Sequence, residues 1–154
     1  MFVISVAVAV LAFAYGVGGI FQFFRAKAMR ALAYKWGFHY GDRDLPASFR
    51  MACYPADTIR RAWNVVKGQQ HGVTVLIFDS IVGEGGRGVY CTFVAIQTEM
   101  NPFENVDSHE KIIKSSGWTA VYRLRFLQIP WTLSAKRIED RLNGALSASS
   151  VIQR

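Results

Sequence analysis

The sequence predicts an α+β protein in which a single N-terminal transmembrane helix precedes a small antiparallel-sheet domain with flanking helices. The apolar run from Phe2 to Phe24 contains no Lys, Arg, Asp or Glu. Three β-rich segments follow it, and an apolar stripe at helical spacing lies near the C-terminus. We therefore expect four regions: an anchor at 1–24, a juxtamembrane helix extension at 25–41, an α+β domain at 42–147 and a tail at 148–154.

The N-terminal run matches the length that a membrane-crossing helix needs, which is about 20 apolar residues. Its polar interruptions are Ser5, Tyr15 and Gln22. A core helix of a soluble protein rarely reaches this length without a charge. A cleaved signal peptide would need basic residues ahead of the run, and residues 1–5 contain none. The sequence therefore favours an uncleaved anchor over both alternatives.

The basic residues behind the run predict its orientation. Arg25, Lys27, Arg30 and Lys35 follow it directly, and no acidic residue precedes Asp42. Because basic flanks stay on the cytoplasmic side, we expect an inner-membrane protein with its N-terminus outside and its C-terminal domain in the cytoplasm. The same four side chains are predicted to contact anionic lipid head groups. The net charge of +7 thus partly reflects this predicted topology.

Small residues on one side of the predicted anchor indicate a contact surface. Ala9, Ala12, Gly16 and Gly19 are spaced three, four and three residues apart, which places them on one helix face. Small side chains at this spacing let a second helix approach closely in lipid. We expect this face to pack on a partner helix. Chance is the alternative, because Ala and Gly are common in membrane helices.

The region after the anchor is predicted to continue as a helix and then to turn. Residues 25–39 contain no Pro and are rich in helix-forming residues, so the helix should end near Gly37 or Gly41. A turn at 41–46 and a short helical turn at 46–51 are expected to follow.

A β-meander is predicted next, with strands at 59–66, 73–79 and 89–98. The connection at 83–88 is rich in glycine, and we interpret it as a hairpin loop. A phosphate-binding loop would be followed by a helix and would contain Gly-Lys-Ser or Gly-Lys-Thr. Flexibility and charge still make the loop a candidate for docking, through Gly85, Gly86 and Arg87.

The last third of the chain is predicted to contain a helix, a strand and a second helix. Asp107 and Glu110 resemble a capping box that opens a short helix ending near Gly117. Residues 118–127 alternate as a half-buried strand with a solvated face. Ser134 is the predicted cap of a final helix, whose apolar stripe should pack on the sheet and consists of Ile138, Leu142, Ala145 and Leu146.

Residues 61–85 contain Asn64-Val65-Val66-Lys67-Gly68, then Gly72-Val73, then Phe78-Asp79, then Gly83 and Gly85. This order resembles an NVxxG, GV, FD and glycine-loop pattern of uncharacterised bacterial membrane-associated proteins. The resemblance implies a small α+β domain, and it carries no activity to this chain.

Residues with catalytic or metal-binding chemistry are scattered along the sequence. His39, His71 and His109 lack the spacing of zinc sites, so we expect them at the surface. Cys53 and Cys91 form no CxxC, and a cytoplasmic location disfavours a disulfide between them. We expect no catalytic residue, no metal and no cofactor. We also expect no nucleic-acid partner, since the only hint of a basic face interleaved with aromatic residues is Arg123 and Arg125 near Tyr122.

These patterns predict a non-catalytic accessory subunit of a larger membrane complex, with other membrane subunits and anionic lipids as partners. The anchor would pack on partner helices, and the cytoplasmic domain would brace the assembly. The alternative is a membrane-tethered domain that binds a small ligand on an aromatic face of the sheet. That face would consist of Phe93, Trp118, Tyr122 and Phe126. The competing interpretation is that these four residues belong to the hydrophobic core. A hydrolase or transferase without a recognisable motif is a third, weaker alternative.

Overall fold

A computed structural model of the chain describes residues 2–41, 43, 45–52, 59–82, 89–98, 100–103, 106–115, 117–123 and 134–152. Within α1, side chains are described at Gly16 and from Gly18 onward. The elements in chain order are α1 (Phe2–Trp36), β1 (His39–Gly41), α2 (Ala47–Ala52), β2 (Ile59–Gln70), β3 (Val73–Val82), β4 (Val89–Gln97), β5 (Glu110–Ser115), β6 (Trp118–Arg123) and α3 (Ala135–Ile152).

The strands form one antiparallel sheet in the order β1-β2-β3-β4-β6-β5. The antiparallel sheet and its flanking helices confirm the α+β part of the predicted fold. β2 and β3 form a hairpin in which Gln70 pairs with Val73. His71 and Gly72 between them have φ values of 51° and 77°. Two consecutive positive φ angles are typical of the tight turn whose twist matches that of the strands.

Helices cover both faces of the sheet. Met29 and Leu32 of α1 and Ile138 of α3 belong to a core cluster on one face. Phe49 of α2 packs on the other face, edge-on against Phe78 and Trp118. The prediction that β6 has a solvated face is therefore wrong. Its predicted solvent-facing positions, Thr119 and Val121, are both buried. Val121 belongs to the core cluster with α1 and α3, and Thr119 Oγ1 donates to the backbone carbonyls of Thr98 and Met100.

The C-terminal end of α1 agrees with the sequence. Gly37 has a φ of 65°, a conformation that ends a helix at low cost in glycine. The Phe38 amide donates to the Ala33 carbonyl at 2.8 Å, and the Gly37 amide donates to the Tyr34 carbonyl at 3.2 Å. These two bonds form a Schellman motif, which terminates the helix at Trp36.

The predicted transmembrane anchor at 1–24 requires correction. Across the described part of the chain, no helix combines the length and the apolar character needed to cross a membrane. The described side chains of α1 include Arg25, Lys27, Arg30 and Lys35. Charges at this density are costly in hydrocarbon, which excludes the described side chains of α1 from a membrane span. The single-pass inner-membrane placement depended on this anchor and is not supported.

The predicted helix after Asp107 is a strand instead. Glu110 does accept a hydrogen bond from the Asp107 amide, at 3.1 Å, as a capping box would. That bond closes a turn, and β5 begins at Glu110 itself. β5 pairs with β6 along its length, and Ser115 opposes Trp118 across Gly117, whose φ is 79°. Tertiary pairing with β6 thus decides the conformation of this segment.

The C-terminal helix confirms the prediction made from its apolar stripe. Ser134 Oγ accepts a hydrogen bond from the Arg137 amide at 3.3 Å, so Ser134 is the N-cap. The four residues of the stripe are all buried, and they pack with α1 and the sheet: Ile138, Leu142, Ala145 and Leu146. The helix continues to Ile152, beyond residue 147, where the sequence predicted a tail.

Candidate functional site

A buried ion pair joins α1 to the middle of the sheet. Arg25 Nε donates to Asp79 Oδ2 at 2.9 Å, and Arg25 Nη2 donates to Asp79 Oδ1 at 2.9 Å. Arg25 is 6% exposed and Asp79 is 0% exposed. A bidentate guanidinium–carboxylate pair of this kind fixes the relative orientation of the two elements as well as their separation.

Neighbouring polar side chains form further hydrogen bonds to the ion pair. Asn64 Nδ2 donates to Asp79 Oδ2 at 2.9 Å, and Thr92 Oγ1 donates to Asp79 Oδ1 at 2.6 Å. Arg25 Nη2 also reaches Thr92 Oγ1 at 2.9 Å, and the Tyr40 hydroxyl donates to Asn64 Oδ1 at 2.8 Å. The five residues, which we call the Asp79 cluster, are Arg25, Tyr40, Asn64, Asp79 and Thr92.

The Asp79 cluster is structural in its chemistry. Both oxygens of the carboxylate accept charged or polar donors, and the side chain has no exposed surface. A general base must reach the proton that it removes from a substrate. Asp79 has no such access, so the cluster serves to hold α1 on the sheet.

A backbone irregularity in β2 places Asn64 in the cluster. The pairing of β2 with β3 shifts register between Trp63 and Val66, which marks a β-bulge. Asn64 lies in this bulge with a φ of 52°. Asparagine tolerates positive φ better than most residues because its short side chain can form local hydrogen bonds. Here its side-chain amide bonds to both Tyr40 and Asp79.

Beyond this attachment point, α1 extends past the domain. Arg25, Met29 and Leu32 are buried on one helix face, whereas Gly18 is exposed. Residues seven apart lie nearly above one another on a helix, so Gly18 and Arg25 share that face. The face that contacts the sheet at Arg25 therefore has no sheet beneath it two turns earlier.

The extended part of α1 carries exposed apolar side chains. Ile20 is 60% exposed, Phe23 is 68% exposed and Phe24 is 62% exposed. Adjacent large apolar side chains at this exposure are typical of an interaction surface. One face of the helix is exposed along its described length, and we call it the open face of α1: Gly16, Ile20, Phe24, Lys27, Ala31 and Tyr34.

The predicted helix-packing residues fall partly within the described side chains. Ala9 and Ala12 lie in α1, but their side chains are outside the described ones. Gly16 and Gly19 are exposed, and apart from adjacent residues and the backbone of α1 itself, no described atom lies within 4 Å of the position that a Cβ would take at either residue. The backbone at these two glycines is therefore open to close approach by another chain.

The predicted lipid-contacting residues have different environments. Arg25 is not at the surface, because Asp79 and the sheet bury it. Lys35 Nζ bonds to Glu139 Oε2 of α3 at 2.8 Å, and the Arg30 guanidinium lies 5.1 Å from the centroid of the Tyr40 ring. Lys27 is exposed. Lipid contact by Lys27, Arg30 and Lys35 stays a prediction.

Of the other residues singled out in the sequence, some lie outside the described part of the chain and others are described. The docking-loop residues Gly85, Gly86 and Arg87 lie outside the described residues, as do Cys53, Phe126 and Arg125. The three histidines are exposed, which confirms their predicted surface positions: His39, His71 and His109. Across the described residues, no group of three or more His, Cys, Asp or Glu side chains lies close enough to hold a metal ion.

The aromatic face proposed for ligand binding is core. Phe93 stacks between Phe78 and Tyr122, with ring centroids 4.8 Å and 4.7 Å away. Phe49 of α2 covers Trp118 at 5.3 Å. Neighbouring rings therefore fill this face at Phe93, Trp118 and Tyr122, the three of its predicted residues that the structure describes.

Burial also suppresses the acidity of the thiol in this core. Desolvation raises the pKa of Cys91 from its ordinary 9.0 to about 12. Desolvation raises the pKa of Tyr122 as well, and the nearby Cys91 thiolate adds to the shift. A thiol that stays protonated at neutral pH is a poor nucleophile, so Cys91 acts here as a small core residue.

Sequence reasoning missed the Asp79 cluster, although a signal for it was present. Asp79 ends the apolar segment Val73–Phe78, and Arg25 is the first charge after the apolar N-terminal run. A carboxylate inside a strand and an arginine on an apolar helix face each require a partner when buried. Their separation by 54 residues hid the pairing.

Comparison of the chain with protein-family models, curated proteins and solved structures yields no match, so its own geometry is the basis for assigning function.

Proposed function

We propose that the protein is a non-catalytic accessory subunit that attaches to a larger protein assembly through the open face of α1. The observation that carries the proposal is the Arg25–Asp79 ion pair, which anchors a helix that continues beyond the domain. A helix held rigidly at one end presents its exposed residues in a fixed direction. Preorganisation of this kind lowers the entropic cost of binding.

The chemistry of the open face favours an apolar helix of a partner subunit as the occupant. Ile20, Phe24, Lys27, Ala31 and Tyr34 are spaced four, three, four and three residues apart, the pattern by which two helices pack along a shared seam. Gly16 and Gly19 leave the backbone open at the N-terminal end. An apolar partner would bury the exposed side chains of Ile20 and Phe24. Burial of apolar surface stabilises a complex by roughly 25 cal/mol per Å².

The non-catalytic part of the proposal is supported by the state of the buried polar groups. The Asp79 carboxylate is saturated with donors, and burial keeps the Cys91 thiol protonated. The exposed histidines lie on separate elements: His39 in β1, His71 in the turn between β2 and β3, and His109 ahead of β5.

The experiment is purification of the full tagged chain in mild detergent, followed by identification of stoichiometric companions. Gly16→Leu and Gly19→Leu place bulk on the open backbone without touching the domain, because no neighbouring atom occupies that space. We expect both variants to recover the companions at least tenfold less than the native chain.

Gly144→Leu is the matched control. Gly144 is also an exposed helical glycine with open space around it, but it lies on α3. Recovery should be unchanged in this variant. A native chain that purifies without companions, or equal losses in all three variants, would overturn the proposal.

A further inference from the structure

We infer that a cleft between α1 and the sheet binds a small molecule with a flat apolar body and an oxyanion group. The cleft has a volume of about 540 Å³ and lies between Gln22, Phe23 and Ala26 of α1 and Trp63, Asn64 and Tyr90 of the sheet. Sites for small organic ligands are typically about 300–1,000 Å³ in size. Phe23 is shared between this cleft and the exposed apolar surface of α1, whereas the cleft's other lining residues lie outside the open face of α1.

Three aromatic side chains give the cleft its preference for a flat body. The rings of Trp63 and Tyr90 meet edge to face, with centroids 5.7 Å apart and an interplanar angle of 75°. Tyr90 is 43% exposed, and Phe23 lies across the cleft on α1. Edge-to-face pairs leave a ring face open, and a second flat ring stacks well against such a face. In contrast to the core stack around Phe93, these rings are partly exposed.

An arginine supplies the preference for an oxyanion. Arg43 also lines the cleft, and its side chain is exposed. The structure records no ion pair for Arg43 with any residue that it describes. A guanidinium group matches carboxylate and phosphate oxygens through two parallel hydrogen bonds. Arg25, a second arginine near the cleft among the described side chains, is already neutralised by Asp79.

The cleft is built on a rigid base. Asn64 lines it and is 8% exposed, and its amide is fixed between Tyr40 and Asp79. The positive φ of Asn64 is held in place by these hydrogen bonds. Backbone strain that the surroundings maintain is common at ligand sites, because it fixes the side chains on either side. The neighbouring Trp63 is such a side chain.

The test uses three naphthalene probes and the purified full chain. 2-Naphthoate and 2-naphthyl phosphate carry the two candidate oxyanions, and 2-methoxynaphthalene has the same ring without charge. Binding is measured by ligand-observed NMR for each protein variant, so that partition into detergent gives the same background throughout. We expect at least one anionic probe to bind tenfold or more tightly than the neutral one. The stronger of the two identifies the oxyanion.

Variants separate the two parts of the recognition. Arg43→Gln should remove the preference for the anion and leave the neutral probe unchanged. Phe23→Ala should weaken all probes about tenfold, and its exposed position makes loss of folding no concern. The matched controls are Arg137→Gln, an exposed arginine on α3, and Tyr34→Ala, an exposed ring on α1 away from the cleft. Both should bind as the native chain does.

Two results would overturn the inference. One is equal affinity for charged and neutral probes, or no binding to the native chain at millimolar concentration. The other is an anion preference that survives Arg43→Gln. Partner recovery by the native chain is independent of either result, so this site and the proposed subunit role can fail separately.

Discussion

Gly68 of β2 shows how a single residue positions the edge of the sheet. A Cβ at this position would lie 2.0 Å from Phe38 Cδ1, well inside van der Waals contact. Phe38 is buried and belongs to the core cluster that joins α1 to the sheet. Glycine is therefore required at position 68 because the Phe38 ring occupies the space of its side chain.

We predict that Gly68→Ala destabilises the protein by about 1–3 kcal/mol, since the ring must move out of a packed core. Gly144→Ala is the matched control, because open space surrounds that helical glycine. It should stabilise the protein by about 0.5–1 kcal/mol. Urea denaturation of both variants checks the pair. Similar effects of the same sign would contradict the packing explanation.

Cys91 gives the molecule a dependence on alkaline pH. Because its pKa is raised to about 12 from 9.0, the folded state holds the thiol proton more tightly than the unfolded state does. This contribution to stability is complete below pH 9 and is lost as pH rises towards 12. The steepest loss for one proton is about 1.4 kcal/mol per pH unit.

We expect the free energy of unfolding of the native chain to fall more steeply between pH 9 and pH 11 than that of Cys91→Ala. The variant keeps Cys53, so the difference between the two curves isolates Cys91. Some slope should remain in the variant, because burial also raises the pKa of Tyr122. Parallel curves would show that the Cys91 thiol does not control this range.

At the scale of elements, a buried ion pair joins α1 to β3 in addition to their apolar packing. Arg25→Met should destabilise the protein by about 3–5 kcal/mol, because it leaves the Asp79 carboxylate buried without its cation. The double variant Arg25→Met/Asp79→Asn should cost less than the sum of the two single changes. Chemical denaturation of the three variants gives this coupling energy.

Lys35→Met is the control for that cycle, because it breaks the other ion pair made by α1. Lys35 bonds to Glu139 of α3, but the lysine side chain is 63% exposed. Solvent screening limits such a pair to about 0–1 kcal/mol. If removal of Lys35 proved as costly as removal of Arg25, burial would not be what makes the Arg25–Asp79 pair strong.

At the scale of the whole molecule, the two halves of α1 should differ in stability. Met29, Leu32 and Ala33 are buried in the core cluster with the sheet and α3, whereas residues 16–20 have exposed side chains wherever these are described. Local opening is easiest where few buried contacts exist. In the isolated chain we expect amides at 29–36 to exchange as slowly as those of β3 and β4, and amides at 16–20 to exchange much faster.

Hydrogen exchange with mass spectrometry measures this contrast directly. A bound partner on the open face should slow exchange at 16–20 and leave 29–36 unchanged. Uniform protection from exchange along α1 in the isolated chain would mean that residues 16–20 are already buried by contacts within the chain. The proposed role as a docking surface would then lose its physical basis.

Local patterns in the sequence determined the elements whose signals are complete within a few residues. Ser134 with the stripe Ile138, Leu142 and Leu146 predicted α3, and Gly37 predicted the end of α1. These signals depend on helical or strand periodicity and on backbone preference, which act between near neighbours in the chain.

The tertiary structure decided everything that depends on contacts between distant residues. Residues Glu110–Ser115 form a strand because they pair with β6, although the capping-box pattern predicted a helix there. Arg25 is buried because it pairs with Asp79, although the sequence predicted a surface position in contact with lipid head groups. The aromatic rings around Phe93 became core because Phe49 of α2 and the neighbouring rings cover them. Burial and ion pairing are properties of the assembled chain, whereas periodicity is a property of each segment by itself.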